Sequence, residues 1–134
     1  MLELSSLQGA IASLQESLYW HSKGCDEVPN DIIRDSVIQR FEYTYELAWK
    51  LIKRWLEINL GSSYVDGISR RELFRLAAEN HLIDNPDKWF AFHTARNQTS
   101  HIYDRLVAGD VFNEAVAFAD AAADLYKQLE KRND

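Results

Sequence analysis

The sequence predicts an all-α protein: an antiparallel up-and-down helical bundle of four main helices plus a short helix, in a single domain spanning residues 1–134. Three observations predict it. Apolar residues recur at spacings of three and four over long stretches, the seam of an amphipathic helix. Two prolines and five glycines in 134 residues are too few for an all-β sandwich, which turns about every ten residues. The segments between the periodic stretches are short, as antiparallel neighbours require.

The first helix carries Leu4, Leu7, Ile11, Leu14 and Leu18 on one face and ends at Lys23-Gly24-Cys25-Asp26. Val28-Pro29-Asn30 connects it to a long helix expected from about residue 31 to residue 59. Ile33, Val37, Phe41, Tyr45, Ala48, Ile52 and Trp55 form its apolar stripe, with Asp35, Gln39, Glu42, Glu46, Lys50, Lys53 and Glu57 opposite. Glu46 precedes Lys50 by four residues, the favourable order for a local ion pair. Gly61 to Gly67 reads as a loop. Ser69-Arg-Arg-Glu72 has the spacing of a capping box and opens a short helix through Ala78, with Asn80 expected as its left-handed cap. Asn85-Pro86 opens the next helix, which runs through Trp89, Phe90 and Ala95. The last helix is expected after Gly109-Asp110, burying Val111, Ala115, Phe118, Ala122, Leu125 and Leu129. Surplus apolar surface on the first and last helices suits self-association or a partner subunit.

Composition limits the function classes. No apolar run reaches the ~20 residues that cross a bilayer, and Met1-Leu-Glu-Leu-Ser lacks the basic start of a signal peptide, so no membrane role is expected. Cys25 is the sole cysteine, which excludes an internal disulfide framework and fits a cytoplasmic location. With only His21 nearby as a base, it reads as an incidental thiol. A net charge of −6 and a pI near 5.2 argue against a general nucleic-acid binder, because phosphate neutralisation supplies most of that affinity. A local basic site remains compatible. Arg70, Arg71 and Arg75, with Arg105, offer either a phosphate-attracting patch or a solvated helix face.

The stretch "RNQTSHIYD", residues 96–104, concentrates the chemistry. Polar residues near a helix end often cap it, and that reading competes with a functional one. A histidine moves protons near neutrality, and an arginine offers a planar fork to phosphate. Together, Arg96 and His101 are a sufficient kit for metal-free cleavage of RNA, with Asn97 and Ser100 orienting the phosphate. On a regular helix their side chains would diverge by roughly 140°. Convergence therefore requires the helix to end or loosen near Thr99, or the two residues to meet across a dimer axis. His93, Asn97 and His101 share a helix face, but an asparagine and two spread histidines are a poor donor set for zinc. No metal and no cofactor are expected.

"RNQTSH" resembles the R-x4-6-H motif of the HEPN superfamily of helical nucleotide- and RNA-binding proteins. "FEYTYELAWK" (41–50), "LID" (82–84), Trp89 and "RNQTSHIYD", in that order, resemble its nucleotidyltransferase substrate-binding branch over about residues 30 to 120. The resemblance implies a helical bundle that forms a homodimer and associates with a separate small nucleotidyltransferase subunit, acting on RNA or a nucleotide. His101-Ile102-Tyr103 resembles the R-x4-H-x-Y form of HEPN toxins, metal-independent ribonucleases silenced when a nucleotidyltransferase antitoxin transfers AMP to the tyrosine. That resemblance implies Arg96 and His101 as the catalytic pair and Tyr103 as the modification site. The alternative is a non-catalytic substrate- or nucleotide-binding subunit of a two-subunit nucleotidyltransferase. The branch usually has glycine before its Leu-Ile pair, where His81 stands here, which puts the local turn in question. The resemblance assigns no role to Glu42 or Glu46, paired on the polar face of the long helix.

Overall fold

A computed structural model describes residues 2–133. In chain order the helices are α1 (Ser5–Lys23), α2 (Asn30–Leu60), α3 (Ser62–Val65), α4 (Arg70–Glu79), α5 (Pro86–Asn97) and α6 (Arg105–Lys131), with a 3-10 turn at Thr99–His101 between the last two. The helical bundle expected from the periodicity is the fold found. Among the described residues, no helix is long and apolar enough to cross a membrane.

α1 and α2 form an antiparallel hairpin. Arg40 donates to the Ser13 carbonyl and Thr44 to the Ala10 carbonyl, so rising numbers on α2 meet falling numbers on α1. Gly24 and Gly61 end these helices at φ +78° and +97°, backbone that a side chain would strain. α2, 31 residues long, spans about 46 Å at 1.5 Å per residue. α6 runs antiparallel to α1: His21 meets Phe112, and Asn133 meets Leu2. α4 and α5 fold back as a second hairpin, in which Phe74 packs on Trp89. Phe118 of α6 is the hub of the core, touching Phe41, Tyr45, Trp89 and Phe92 edge-on at centroid distances of 5.2 to 6.1 Å. That geometry sets ring edges against ring faces and adds to the burial of aromatic surface from three helices, α2, α5 and α6. It also fixes where α5, and everything that follows it, meets α2.

Four local expectations need correction. The Gly61–Gly67 segment is not wholly loop: it contains the single-turn α3, anchored by buried Val65. Ser69 does cap α4, accepting from Glu72 N–H at 3.1 Å, but the Glu72 carboxylate turns to Arg75 instead of reaching back. Asn80 is not the left-handed residue. His81 is, at φ +62°, and the N–H groups of His81 and Leu82 bond the Ala78 and Ala77 carbonyls in a Schellman closure. Lastly, α6 starts at Arg105, well before Gly109, because Asp104 caps it by accepting from the N–H groups of Leu106 and Val107. Gly109 and Asp110 ride inside the helix, where buried Ala108 and Val111 hold the turn against the core. The Asn85 cap and Pro86 start of α5 are as expected, with Asn85 accepting from Asp87 N–H at 3.0 Å.

Candidate functional site

The polar stretch begins where α5 stops. Asn97 is the last residue of the helix, and the chain tightens into the 3-10 turn at Thr99–His101. Thr99 holds this change of pitch by donating its hydroxyl to the Arg96 carbonyl at 2.9 Å. A helix end near Thr99 was one of the two routes by which Arg96 and His101 could converge, a dimer axis being the other, and α5 ends at Asn97. The turn leaves Asn97, Ser100, His101 and Tyr103 exposed, Tyr103 at 84%. The His101 and Tyr103 rings approach edge to face at 6.1 Å. Among the described residues no hydrogen bond joins His101 to Arg96, so the turn brings them to one end of the helix without closing a direct contact.

Arg96 reaches to α2. Its Nε donates to Glu46 Oε1 at 2.8 Å, and Glu46 Oε2 accepts from Trp49 Nε1 at 3.1 Å. The carboxylate is thus held between two donors, which fixes the guanidinium stem; the Nη groups have no hydrogen-bond partner among the described residues. The expected Glu46–Lys50 pair is superseded: Glu46 binds Arg96, and Lys50 lies over the Trp49 ring. An ion pair about one-third exposed contributes on the order of 1 kcal/mol or less to stability, so orientation is its larger effect.

A second chain of bonds runs beside the first. Arg70 of α4 donates to Tyr45 Oη at 3.2 Å, Tyr45 Oη shares a hydrogen bond with His93 Nδ1 at 2.9 Å, and Asn97 Nδ2 lies 3.4 Å from His93 Nε2. Burial pushes the Tyr45 phenol up to about 12, against the pull of the Arg70 cation. Burial, and after it the Arg70 charge, hold His93 below the usual histidine range, with Glu46 opposing and Arg96 assisting. Both groups stay neutral at neutral pH and act as fixed struts. His93 thus adjoins the polar stretch through Asn97.

Sequence reasoning missed Glu46 as the partner of Arg96 and Tyr45 as the link to His93. Both lie in "FEYTYELAWK", some fifty residues from their partners, and the stretch itself was the only signal. Of the four arginines read as either a phosphate-attracting patch or a solvated helix face, Arg75 pairs with Glu72, Arg105 starts α6, and Arg70 and Arg71 lie over the Trp49 and Phe90 rings.

This geometry can be set beside known proteins. The chain matches a family model described as nucleotidyltransferase substrate binding protein like, over residues 2–131. The chain belongs to that family. The nucleotidyltransferase substrate-binding family is the one that "FEYTYELAWK" and "RNQTSHIYD" suggested. One relative, from Haemophilus influenzae, is named a probable ribonuclease HepT; it is 30% identical over 98% of this chain and 94% of its own. A solved Haemophilus influenzae structure, HI0074, described as the fold of a substrate binding domain of a nucleotidyltransferase, matches with a TM-score of 0.85 and 29% identity. It covers 96% of this chain and 99% of its own. A Thermus thermophilus structure matches at a TM-score of 0.75 and 28% identity, covering 92% of this chain and 98% of its own.

Proposed function

We propose that this chain is the HEPN subunit of a two-component system with a small nucleotidyltransferase, a toxin–antitoxin pair in which it is a metal-independent endoribonuclease. Arg96 and His101 are the catalytic pair, Asn97 and Ser100 orient the phosphate, and Tyr103 is the site of silencing. The observation that carries the reading is the break at Asn97. It places a free histidine one turn beyond an arginine whose stem a carboxylate already holds. Leu106, 81% exposed beside the turn, supplies apolar surface on which a second copy would bring another Arg96–His101 set alongside.

In the reaction, His101 takes the proton of a ribose 2′-hydroxyl. The 2′-oxygen attacks the adjoining phosphorus, the bond to the 5′-oxygen breaks, and that oxygen leaves as a hydroxyl after taking up a proton. The products are a 2′,3′-cyclic phosphate and a 5′-hydroxyl end. Arg96 stabilises the extra negative charge of the pentacoordinate phosphorane, where a fixed guanidinium is worth most. Silencing follows when the partner directs Tyr103 Oη onto the α-phosphorus of ATP and pyrophosphate leaves. The resulting AMP adds charge and bulk next to His101, where the substrate phosphate belongs.

A second reading has its own support. The Haemophilus influenzae structure is described as a substrate binding domain, and an arginine anchored by Glu46 serves binding as well as catalysis. The two readings part in one experiment. The purified chain is incubated with a broad set of RNAs in chelator, beside His101→Ala. Cleavage lost in the variant supports the ribonuclease. Uncut RNA, with a partner nucleotidyltransferase that works only in the presence of this chain, supports the binding subunit.

A further inference from the structure

No side chain between Ala95 and Ala108 is fully buried, and Ile102 and Val107 pack only partly against the core. The stretch that carries Arg96, Asn97 and His101 is therefore held to the bundle in large part by polar contacts, and those contacts meet at one hydroxyl. We infer that Tyr45 is a positioning residue for this stretch: its hydroxyl, acting through His93, sets the Asn97 amide beside the reacting phosphate. The phosphate in that sentence rests on the reading above; the contacts that hold Asn97 do not.

The contacts form a closed circuit. Arg96 and Trp49 both donate to the Glu46 carboxylate, and the Trp49 ring carries the Arg70 guanidinium at 3.5 Å. Arg70 donates to Tyr45 Oη at 3.2 Å, Tyr45 shares a hydrogen bond with His93 Nδ1 at 2.9 Å, and His93 Nε2 lies 3.4 Å from Asn97 Nδ2. Asn97 adjoins Arg96, so the path returns to its start after crossing α2, α4 and α5. Tyr45 is the one member that is fully buried. Every other member borders solvent and can exchange a lost partner for water.

Packing does not call for the hydroxyl. The Tyr45 ring sits 6.1 to 6.4 Å from the rings of Phe41, Phe74 and Phe118, contacts that a phenylalanine would keep. A buried hydroxyl is unfavourable unless it is hydrogen-bonded, and both of its bonds leave α2, one for α4 and one for α5. Burial also keeps the phenol protonated, so the hydroxyl is present throughout the neutral range.

The end of α5 is where such a bond has an effect. Trp89, Phe92 and Ala95 bury one face of the helix and set how deeply it sits. His93, Arg96 and Asn97, spaced by three and four residues, share a neighbouring face without burial of their own. The Tyr45–His93 bond fixes the imidazole against which Asn97 rests. A merely structural bond would register as stability, equally with or without Asn97. A positioning bond matters to the reaction only while Asn97 is there to be positioned.

The test is a double-mutant cycle on the full chain: RNA cleavage in chelator by the unmodified protein, Tyr45→Phe, Asn97→Ala and the two together. Tyr45→Phe removes only the hydroxyl. Arg70 and His93 both line a cleft of about 210 Å³ from which water can take up their bonds, so the variant folds, and urea unfolding checks this. The expected result is a kcat about tenfold lower for Tyr45→Phe, with an unchanged urea midpoint. Added to Asn97→Ala, the same change should cost less than about twofold. No loss, or the same loss in both backgrounds, overturns the positioning role. A second readout needs no cleavage: the side-chain amide resonances of Asn97, assigned by NMR from their disappearance in Asn97→Ala, should move in Tyr45→Phe while those of other asparagines stay. If the unmodified chain cuts no RNA, the ribonuclease reading fails by itself and these resonances decide. Their movement upholds the role of Tyr45, and unmoved resonances overturn it.

Discussion

Two histidines stand just past the ends of neighbouring helices, and the chain uses them in opposite ways. His81 follows α4 at φ +62°, its N–H on the Ala78 carbonyl and its own carbonyl held by Arg132 from the end of α6. What position 81 contributes is backbone shape. His101 follows α5 in a 3-10 turn, and its exposed ring has no hydrogen-bond partner among the described residues. What position 101 contributes is a side chain. The two helix ends thus differ in how they satisfy their last carbonyls. α4 closes them with a Schellman motif and an arginine, leaving nothing for a ligand. α5 tightens its pitch and leaves Asn97, Ser100 and His101 exposed.

The largest expected effect breaks this contrast directly. His101→Ala should reduce RNA cleavage in chelator by at least about a hundredfold, the scale of a lost proton-transfer group. Its thermal midpoint should stay near that of the unmodified chain, because an exposed, unbonded ring contributes within about 0.5 kcal/mol. His81→Ala should leave cleavage unchanged. Equal losses in both variants, measured by gel at matched protein concentration, would show that the two ends are not functionally distinct.

Glu46→Gln comes next. The amide keeps the shape and loses the charge that orients Arg96, so cleavage should fall by about tenfold, less than deleting a phosphate-stabilising donor outright. Unfolding in urea should register a loss of about 1 kcal/mol or less, since the pair is partly exposed. A stability loss with unchanged cleavage would reduce Glu46 to a surface ion pair and weaken the role of Arg96.

What the sequence made legible follows from the range of the interactions involved. The end of α5 was readable only as one of two alternatives, because Arg96 and His101, five residues apart, could converge either at a helix end near Thr99 or across a dimer axis. The Schellman turn was half readable: His81 put the local turn in question, yet Asn80 looked the better left-handed residue and His81 takes the strain. Asp104 was overlooked as the cap of α6 because it sat inside a stretch already read as chemistry, and Gly109-Asp110 imitated a start signal five residues later. The Glu46–Arg96 and Tyr45–His93 contacts join residues about fifty positions apart, and periodicity within α2 showed only that Glu46 avoids the core and Tyr45 enters it.

His93 separates from His101 in its response to pH. Its proton affinity in the folded chain is depressed by burial and by Arg70. The unfolded chain therefore binds the proton more tightly, and the stability linked to His93 is present above the unfolded value near 6.5 and lost as pH falls below it. An imidazolium would donate from both ring nitrogens and set Nε2 against the Asn97 amide hydrogens. Urea midpoints measured from pH 7.5 down to pH 5.5 should fall for the unmodified chain and fall less for His93→Gln. Identical slopes would mean that the Tyr45–His93–Asn97 struts do not depend on a neutral ring.

The smallest effect sharpens the comparison most, because one substitution should have opposite signs at the two helix ends. A non-glycine residue in the left-handed region carries a cost of about 1–2 kcal/mol, and glycine gives back roughly 0.5–1 kcal/mol through its greater freedom in the unfolded chain. His81→Gly should therefore stabilise the protein by about 0.5–1 kcal/mol. Position 101 has no left-handed strain to relieve, so His101→Gly should lower stability by a few tenths to about 1 kcal/mol. Urea unfolding of the two variants at the same pH reads both signs. A stabilising glycine at both positions would mean that the turn after α5 is also strained, and that His101, like His81, is held by its backbone instead of being set free by it.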